Sequence, residues 1–275
     1  MVSDVGWVER IGADWPAAEV EIRDGWRLSW NEGVTRRANS AVRLEAGARV
    51  EAAEEFYRER GLAPCFQTWP GDEDLDAVLA RRGYAEQAAT QVLVRDLGEW
   101  PPAAHGADVA VAERPGAAWR ALWAEAGQPP ERVAALHRIL DRVPRIGYAL
   151  EESGAARGCA ALSGAWAGVY AMVTRPADRG RGLAGAVLEA LLEWARLSGA
   201  ENAYLMVEAD NAAALRVYER AGFSTRCTYR YRVAPGVPRE GALPAEYAAI
   251  AAERTDEDRA VAAALRSRLS PRARE

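Results

Sequence analysis

The chain has 275 residues, 49% of them hydrophobic, with a formal net charge of −5, which is length enough for two cores and an acidic balance that argues against nucleic acid. All 35 basic residues are arginines, so Schiff-base chemistry and the lysine of a Walker phosphate loop are excluded. Cys65, Cys159 and Cys227, with His105 and His137 the only histidines, are too few and too scattered for a disulfide framework, a metal site or a Ser-His-Asp triad.

Taken in chain order, the opening MVSDVGWVER lacks the layout of a signal peptide, and no later run reaches the ~18 unbroken apolar residues of a membrane span. A cytoplasmic protein without a membrane partner is the expectation. DGWRLSWNEGVTRRANS (24–40) alternates aromatic and polar residues as a half-buried strand does. Its Trp26, Trp30, Arg36, Arg37 and Asn39 either pack two halves together or line a pocket for an acceptor, and with ten tryptophans in the chain packing is the default. A helix, VEAAEEFYRERG, ends at Gly61.

GEWPPAAHGAD (98–108) combines Pro-Pro with glycine and small residues, which marks a domain boundary. Beyond it the patterns predict a strand at 108–112, helices at 116–126 and 130–141, and strands at 146–151, 157–163 and 167–174. A glycine loop follows, then a helix from Leu183 to about 198 closed by Gly199, a strand at 203–208, a helix at 211–221 and a strand at 225–233. From about 240 the chain reads as two short helices, the second capped by Thr255. Residues 1–100 carry 12 arginines against 19 acids and residues 101–275 carry 23 against 21, so the second part is the better host for an anionic cofactor.

A weak internal repeat relates the two parts. LARRGY (79–84) matches YERAGF (218–223), and Gly222 minus Gly83 gives an offset of 139. The first copy has NSAVRLEAG where the second has its glycine loop, and Leu79 where the second has Tyr218. The first half therefore cannot repeat what that loop and tyrosine do.

The loop RPADRGRGLAG (175–185) spells Gly180-x-Gly182-x-x-Gly185, the spacing of a dinucleotide fingerprint, and Glu208 stands 23 residues after Gly185 where such a site wants an acid. Against that reading, the six residues TRPADR separate the strand end from Gly180, too long for a tight turn, and too few strands follow. A helix opening after glycines attracts a phosphate in any case, through unpaired N–H groups and its positive dipole end.

The run from Val173 to Phe223 resembles the acetyl-CoA core of the GNAT acetyltransferase superfamily. Its loop pattern is met by Arg179, Gly182 and Ala184, and its second signature by Asn211, Ala214, Tyr218, Gly222 and Phe223, about 30 residues on. The likeness is strong over 166–232, loose over 107–165 and faint over 1–97. It implies an α/β fold with a mixed sheet, in two tandem GNAT-like acyltransferase domains: a degenerate one at 1–100 without a phosphate loop, one at 105–235 that binds acetyl-CoA, and a short C-terminal helical extension at 236–275.

The resemblance also implies a pose and an activity, N-acetylation of a primary amine of a small molecule or peptide. The pyrophosphate of coenzyme A would lie on the N–H groups of Gly180, Arg181, Gly182, Leu183, Ala184 and Gly185 behind Arg179. The peptide-like arm would add to the strand at Met172, Val173 and Thr174, with Asn211 and Tyr218 beside it. Tyr218 would protonate the departing thiolate and an N–H near Val173 would serve the oxyanion. Asn211 also suits an N-cap. Some relatives carry a glutamate five residues before that asparagine, where this chain has Met206, so the base is either Glu208, directly or through a water, or a water chain alone. A non-catalytic acyl-CoA sensor or scaffold and a nicotinamide enzyme stand as alternatives.

Overall fold

The computed structural model describes residues 5–98 and 108–235. The boundary residues 99–107, with His105, and the helices expected beyond 235 lie outside the described residues. The first part runs α1 (Val5–Asp14), β1 (Glu19–Arg23), β2 (Trp26–Trp30), β3 (Ala41–Arg43), α2 (Val50–Glu59), β4 (Cys65–Thr68), α3 (Glu73–Arg81) and β5 (Ala85–Asp96). The second runs β6 (Val109–Ala112), α4 (Ala117–Glu125), α5 (Pro130–Leu140), β7 (Ile146–Glu151), β8 (Ala156–Ser163), β9 (Trp166–Thr174), α6 (Leu183–Leu197), β10 (Asn202–Glu208), α7 (Ala212–Arg220) and β11 (Ser224–Val233). Each element predicted between residues 108 and 235 is present with its ends displaced by at most one residue, because glycines and caps punctuate this stretch.

All eleven strands join one mixed sheet in the order β1-β2-β3-β4-β11-β5-β10-β9-β8-β7-β6. The sequence does not announce how the halves connect in it. β5 closes the earlier part of the chain yet lies beside β10, and β11 closes the later part yet lies beside β4. The exchanged strands pair antiparallel with each other, from Ser224 opposite Val94 to Val233 opposite Ala85. They begin at Ala85 and Ser224, and α3 and α7 begin at Glu73 and Ala212, in both cases at the offset of the sequence repeat. The repeat therefore relates the two sides of the sheet across its centre.

α1 is exchanged as well. Its Trp7 packs edge-on against Trp166 of β9, and Asp14, buried at its end, accepts a hydrogen bond from the Tyr204 hydroxyl of β10 at 2.6 Å and another from Ser163. Burial raises the Asp14 carboxyl above its ordinary pKa, and the two hydroxyl donors offset part of that rise.

Three apolar clusters hold the sheet. One face buries Val187, Leu188, Leu191 and Leu192 of α6 against Val169 and Leu205. The other receives α1, α4 and α5 through Trp7, Trp119, Trp123 and Ile139, with Tyr170 and Tyr204. The third lies under α2 and α3 around Trp26, Phe56 and Phe66. At ~25 cal/mol per Å2 of apolar area these contacts dominate stability.

Arg157 of β8 is the exception to this apolar packing. It is 0% exposed, and its guanidinium carbon lies 3.7 Å from the Trp119 ring centre and 4.0 Å from that of Trp123. None of its three side-chain nitrogens has a hydrogen-bond partner among the described residues, and burial pulls its pKa down to about 10. Cation–π contacts are worth about 2 kcal/mol each when desolvated, whereas burying an unpaired ion costs several kcal/mol.

Candidate active site

The site begins with a break in strand pairing. β9 and β10 run parallel and pair from Asn202 opposite Trp166 to Leu205 opposite Val169, then no further. Both strands stay bound on their outer sides, β9 to β8 as far as Thr174 and β10 to β5 as far as Glu208. Their inner edges past that point are therefore apart. The cause is local: Ala171 adopts φ +54°, and the β8 register slips between Arg157 and Cys159 opposite it. This is a bulge, which bends a strand and leaves backbone groups unpaired. Met172, Val173 and Thr174 lie just beyond it, all partly exposed.

α6 starts beside the end of β9. Gly180 and Gly182 have φ +79° and +82°, and Gly182 is the N-cap of α6 with no side-chain capping bond; a left-handed N-cap admits glycine at least cost. The N–H groups of Gly180, Arg181, Gly182, Leu183 and Ala184 have no acceptor among the described residues. That of Gly185 already donates to the Gly182 carbonyl at 3.0 Å, so the row of available donors ends one residue earlier than expected. A Cβ added at Gly180, Gly182 or Gly185 would meet nothing within 4 Å. Gly185, whose φ needs no glycine, therefore leaves space that no described residue fills. Five N–H groups without a described acceptor, in and just before the first turn of a fifteen-residue helix, suit a pyrophosphate. Arg179 is exposed, while Arg181 is held by Asp178 at 2.5 Å.

Asn211 is the N-cap of α7, accepting the Ala214 N–H at 3.1 Å. Tyr218, two turns along, is 9% exposed and packs edge-on against Phe223. Its hydroxyl has no hydrogen-bond partner among the described residues, and burial pushes its pKa up to about 12. It is a neutral phenol with a proton to give.

Glu208 ends β10, but it does not stand alone. Arg36 of the first half reaches it, Nη2 to Oε1 at 3.1 Å, and also donates to Gln87 Oε1 at 3.0 Å. The segment that delivers Arg36 is tightly held. Asn39 Oδ1 accepts the N–H groups of Asn31 and Gly33 at 2.7 and 3.1 Å, and its Nδ2 donates to the Val34 and Thr35 carbonyls, each at 2.8 Å. Arg37, next in line, packs over Trp15 and Tyr170. The two roles left open for Arg36, Arg37 and Asn39 thus separate, since Asn39 fixes the loop and the arginines face the other half. The Arg36 contact was missed in sequence because 172 residues separate it from Glu208, and no short-range pattern marks it.

Residues 2–232 match the family described as "Probable histone acetyltransferase Rv0428c C-terminal". Over 245 residues, 84% of this chain and 99% of the relative, the chain is 29% identical to the "Uncharacterized N-acetyltransferase YobR" of Bacillus subtilis (strain 168). Among solved structures it is similar to a GCN5-related N-acetyltransferase from Kribbella flavida, with TM-score 0.64 at 17% identity over 86% of this chain and 96% of that one. It is also similar to a tandem GNAT protein from the clavulanic acid biosynthesis pathway, with TM-score 0.59 at 15% identity over 85% and 88% of the two chains. At such identities the structures show the fold, which is the GNAT fold implied by the two signatures. A doubly wound nucleotide domain needs a run of parallel strands, and here β9 has one parallel neighbour and one antiparallel. No described helix is long and apolar enough to cross a membrane, and no group of metal-ligating side chains occurs among the described residues.

Proposed function

The chain belongs to the family described as "Probable histone acetyltransferase Rv0428c C-terminal", an N-acetyltransferase family of the GNAT fold, and from that premise we propose that it moves an acetyl group from acetyl-CoA to a primary amine of a small molecule or peptide. The observation that carries this reading is the pair of free strand edges past Val169 and Leu205. A peptide-like arm can add there to Met172–Thr174, as a strand adds to a sheet edge, with its pyrophosphate on the N–H groups of Gly180 to Ala184. The open space at Gly185 and the absence of an acceptor for those N–H groups among the described residues support the fit.

When bound, acetyl-CoA supplies the acyl group as a thioester. The amine nitrogen attacks the carbonyl carbon, the C–N bond forms and the C–S bond breaks. A backbone N–H near Val173 donates to the carbonyl oxygen as charge builds on it. Tyr218 gives its phenolic proton to the departing sulfur, and Glu208, anchored by Arg36, takes the amine's proton directly or through a water. In the tandem reading, residues 1–100 are a GNAT-like domain that has lost its phosphate loop, and residues 105–235 are the one that works. The excess of acids in the first half favours a cationic acceptor, and a basic peptide of the kind named in the family's description meets that condition.

The variant Tyr218→Phe tests the reading against a cofactor sensor. Turnover measured as CoA release should fall ~10²–10⁴-fold while calorimetry shows unchanged affinity for acetyl-CoA. Unchanged turnover removes Tyr218 from the chemistry, and absence of binding heat in the parent protein removes the cofactor. A panel of amines assayed with the parent protein names the acceptor class, and turnover confined to neutral or acidic acceptors would overturn the cationic preference.

A further inference from the structure

Arg157 is a charge that acetyl transfer, as assigned above, does not use. Its neighbour Gly158 faces α6, where an added Cβ would meet Met172, Leu191 and Val187. Side chains alternate along a strand, so the guanidinium lies on the opposite face, under α4. There it packs on Trp119 and Trp123, and its Nε, Nη1 and Nη2 all lack partners among the described residues. Trp119 Nε1 is committed to the Gly158 carbonyl at 2.9 Å and so offers it nothing. His137 of α5 lies against the same indoles, 5.4 Å from Trp123 and 6.5 Å from Trp119 between ring centres. Its Nε2 is also buried without a partner. No carboxylate stands within ion-pair distance of Arg157 among the described residues.

The place of this cluster gives it meaning. In the β8–β9 ladder Arg157 is opposite Val173, one strand from the gap and beside the bulge that opens it. Val173, opposite Arg157, belongs to the partly exposed stretch Ala171–Thr174, which the proposed pose gives to the arm of the thioester.

We propose that Arg157, with His137 beside it and Trp119 and Trp123 as walls, receives the carboxylate of a reactant, carried either on the acyl chain of the thioester or on the acceptor amine. The inference rests on the acetyltransferase reading for the place of the thioester. A guanidinium presents two parallel donors to the two oxygens of a carboxylate, and a single negative charge matches the single cation. A dianionic phosphate would bring a surplus charge into an apolar setting. A buried cation retained purely for structure would have its donors satisfied within the fold, as buried polar groups normally are.

Two measurements on the full chain test this. The first is thermal unfolding of Arg157→Met without ligands. Replacing a buried ion by an apolar side chain of similar volume is neutral or stabilising, so the melting temperature should hold or rise, and a drop of several degrees would assign the arginine to structure and overturn the proposal. The second compares paired probes. Calorimetry sets succinyl-CoA against acetyl-CoA, and CoA release from acetyl-CoA sets lysine against 1,5-diaminopentane. The parent protein should prefer the carboxylate-bearing member of one pair by at least ~10-fold, and which pair it is names the source. Arg157→Met should abolish that preference while leaving acetyl-CoA affinity as it was. Arg157→Lys, which keeps the cation without the two-pronged donor geometry, should reduce the same ratio. No preference in either pair, or a preference that survives the variants, sinks this inference alone. Failure of the parent protein to bind either thioester sinks the proposed function instead.

Discussion

The two sides of the sheet repeat one backbone plan and treat the same place in opposite ways. In the second half β9 and β10 part after Leu205, leaving strand edges and a row of N–H groups with no internal partner. In the first half the parallel pair β3 and β4 is joined only at Ala41–Phe66 and Val42–Gln67, but the space beyond is sealed by charge. Arg43, at the end of β3, donates to Asp72 at 2.7 and 3.0 Å and to Asp74 at 2.7 Å. Asp72 occupies the repeat position of Asn211, and Leu79, fully buried, that of Tyr218. On the proposed reading, chemistry resides where the second half leaves polar groups unanswered, and in the first half the Arg43 ion pairs occupy the corresponding place.

That contrast can be broken by paired substitutions. The largest difference is expected between Tyr218→Phe, which should lose turnover as stated above, and Leu79→Ala. The latter should keep kcat in the folded protein while losing ~2–5 kcal/mol of stability through a core cavity, read by urea unfolding. Equal kcat losses would mean that the two tyrosine-equivalent positions are not functionally distinct. Next, Arg43→Ala leaves the mostly buried Asp72 without its partner and should cost ~1–3 kcal/mol, with no new CoA-binding heat, because the first half has no glycine loop to add to an opened gap. A second binding event by calorimetry would contradict this.

Asn211→Ala removes a cap worth about 1 kcal/mol and should also weaken acetyl-CoA. An effect on stability alone would confine Asn211 to the helix end. The smallest effect is on pH. The Arg43 guanidinium holds the Asp74 carboxyl below its ordinary range, and Arg232 does the same for Asp76. A carboxylate with a depressed folded pKa contributes stability that is complete above its unfolded value near 3.8 and is lost as pH falls through the folded one. Stability should therefore decline below about pH 4, and Asp76→Asn should flatten that decline in urea midpoints taken between pH 5 and 3. An unchanged slope would show that these pairs do not set acid stability.

Much of the second half was legible because its signals are local. Gly180 and Gly182 mark a left-handed turn, Asn211 caps a helix, and the apolar stripe of α6 from Leu183 to Ala195 needs no partner to be recognised. The first half gave its repeat through Gly83 and Tyr84 but little else, since its loops carry arginine and acid where the second half has glycine. Strand exchange was hidden for a plain physical reason: the residues of β5 and β11 mark them as strands without marking which strands they lie beside. α1 was equally silent, as its Trp7, Val8 and Ile11 say that it packs but not on what. Arg157 escaped notice because an arginine in ARGCAALS reads as an exposed strand residue, and only the indoles of α4, far away in sequence, reveal that it is buried.

The trade of β5 for β11 also bears on what natural selection can discard. On the proposed reading the first half does no chemistry, yet the second half takes an interior strand from it, β5 beside β10. Deleting the first half would strip β10 of β5, the antiparallel neighbour that holds it as far as Glu208. The first half is therefore tied to the second by main-chain hydrogen bonds, and if it is inactive, as proposed, it still serves as scaffolding.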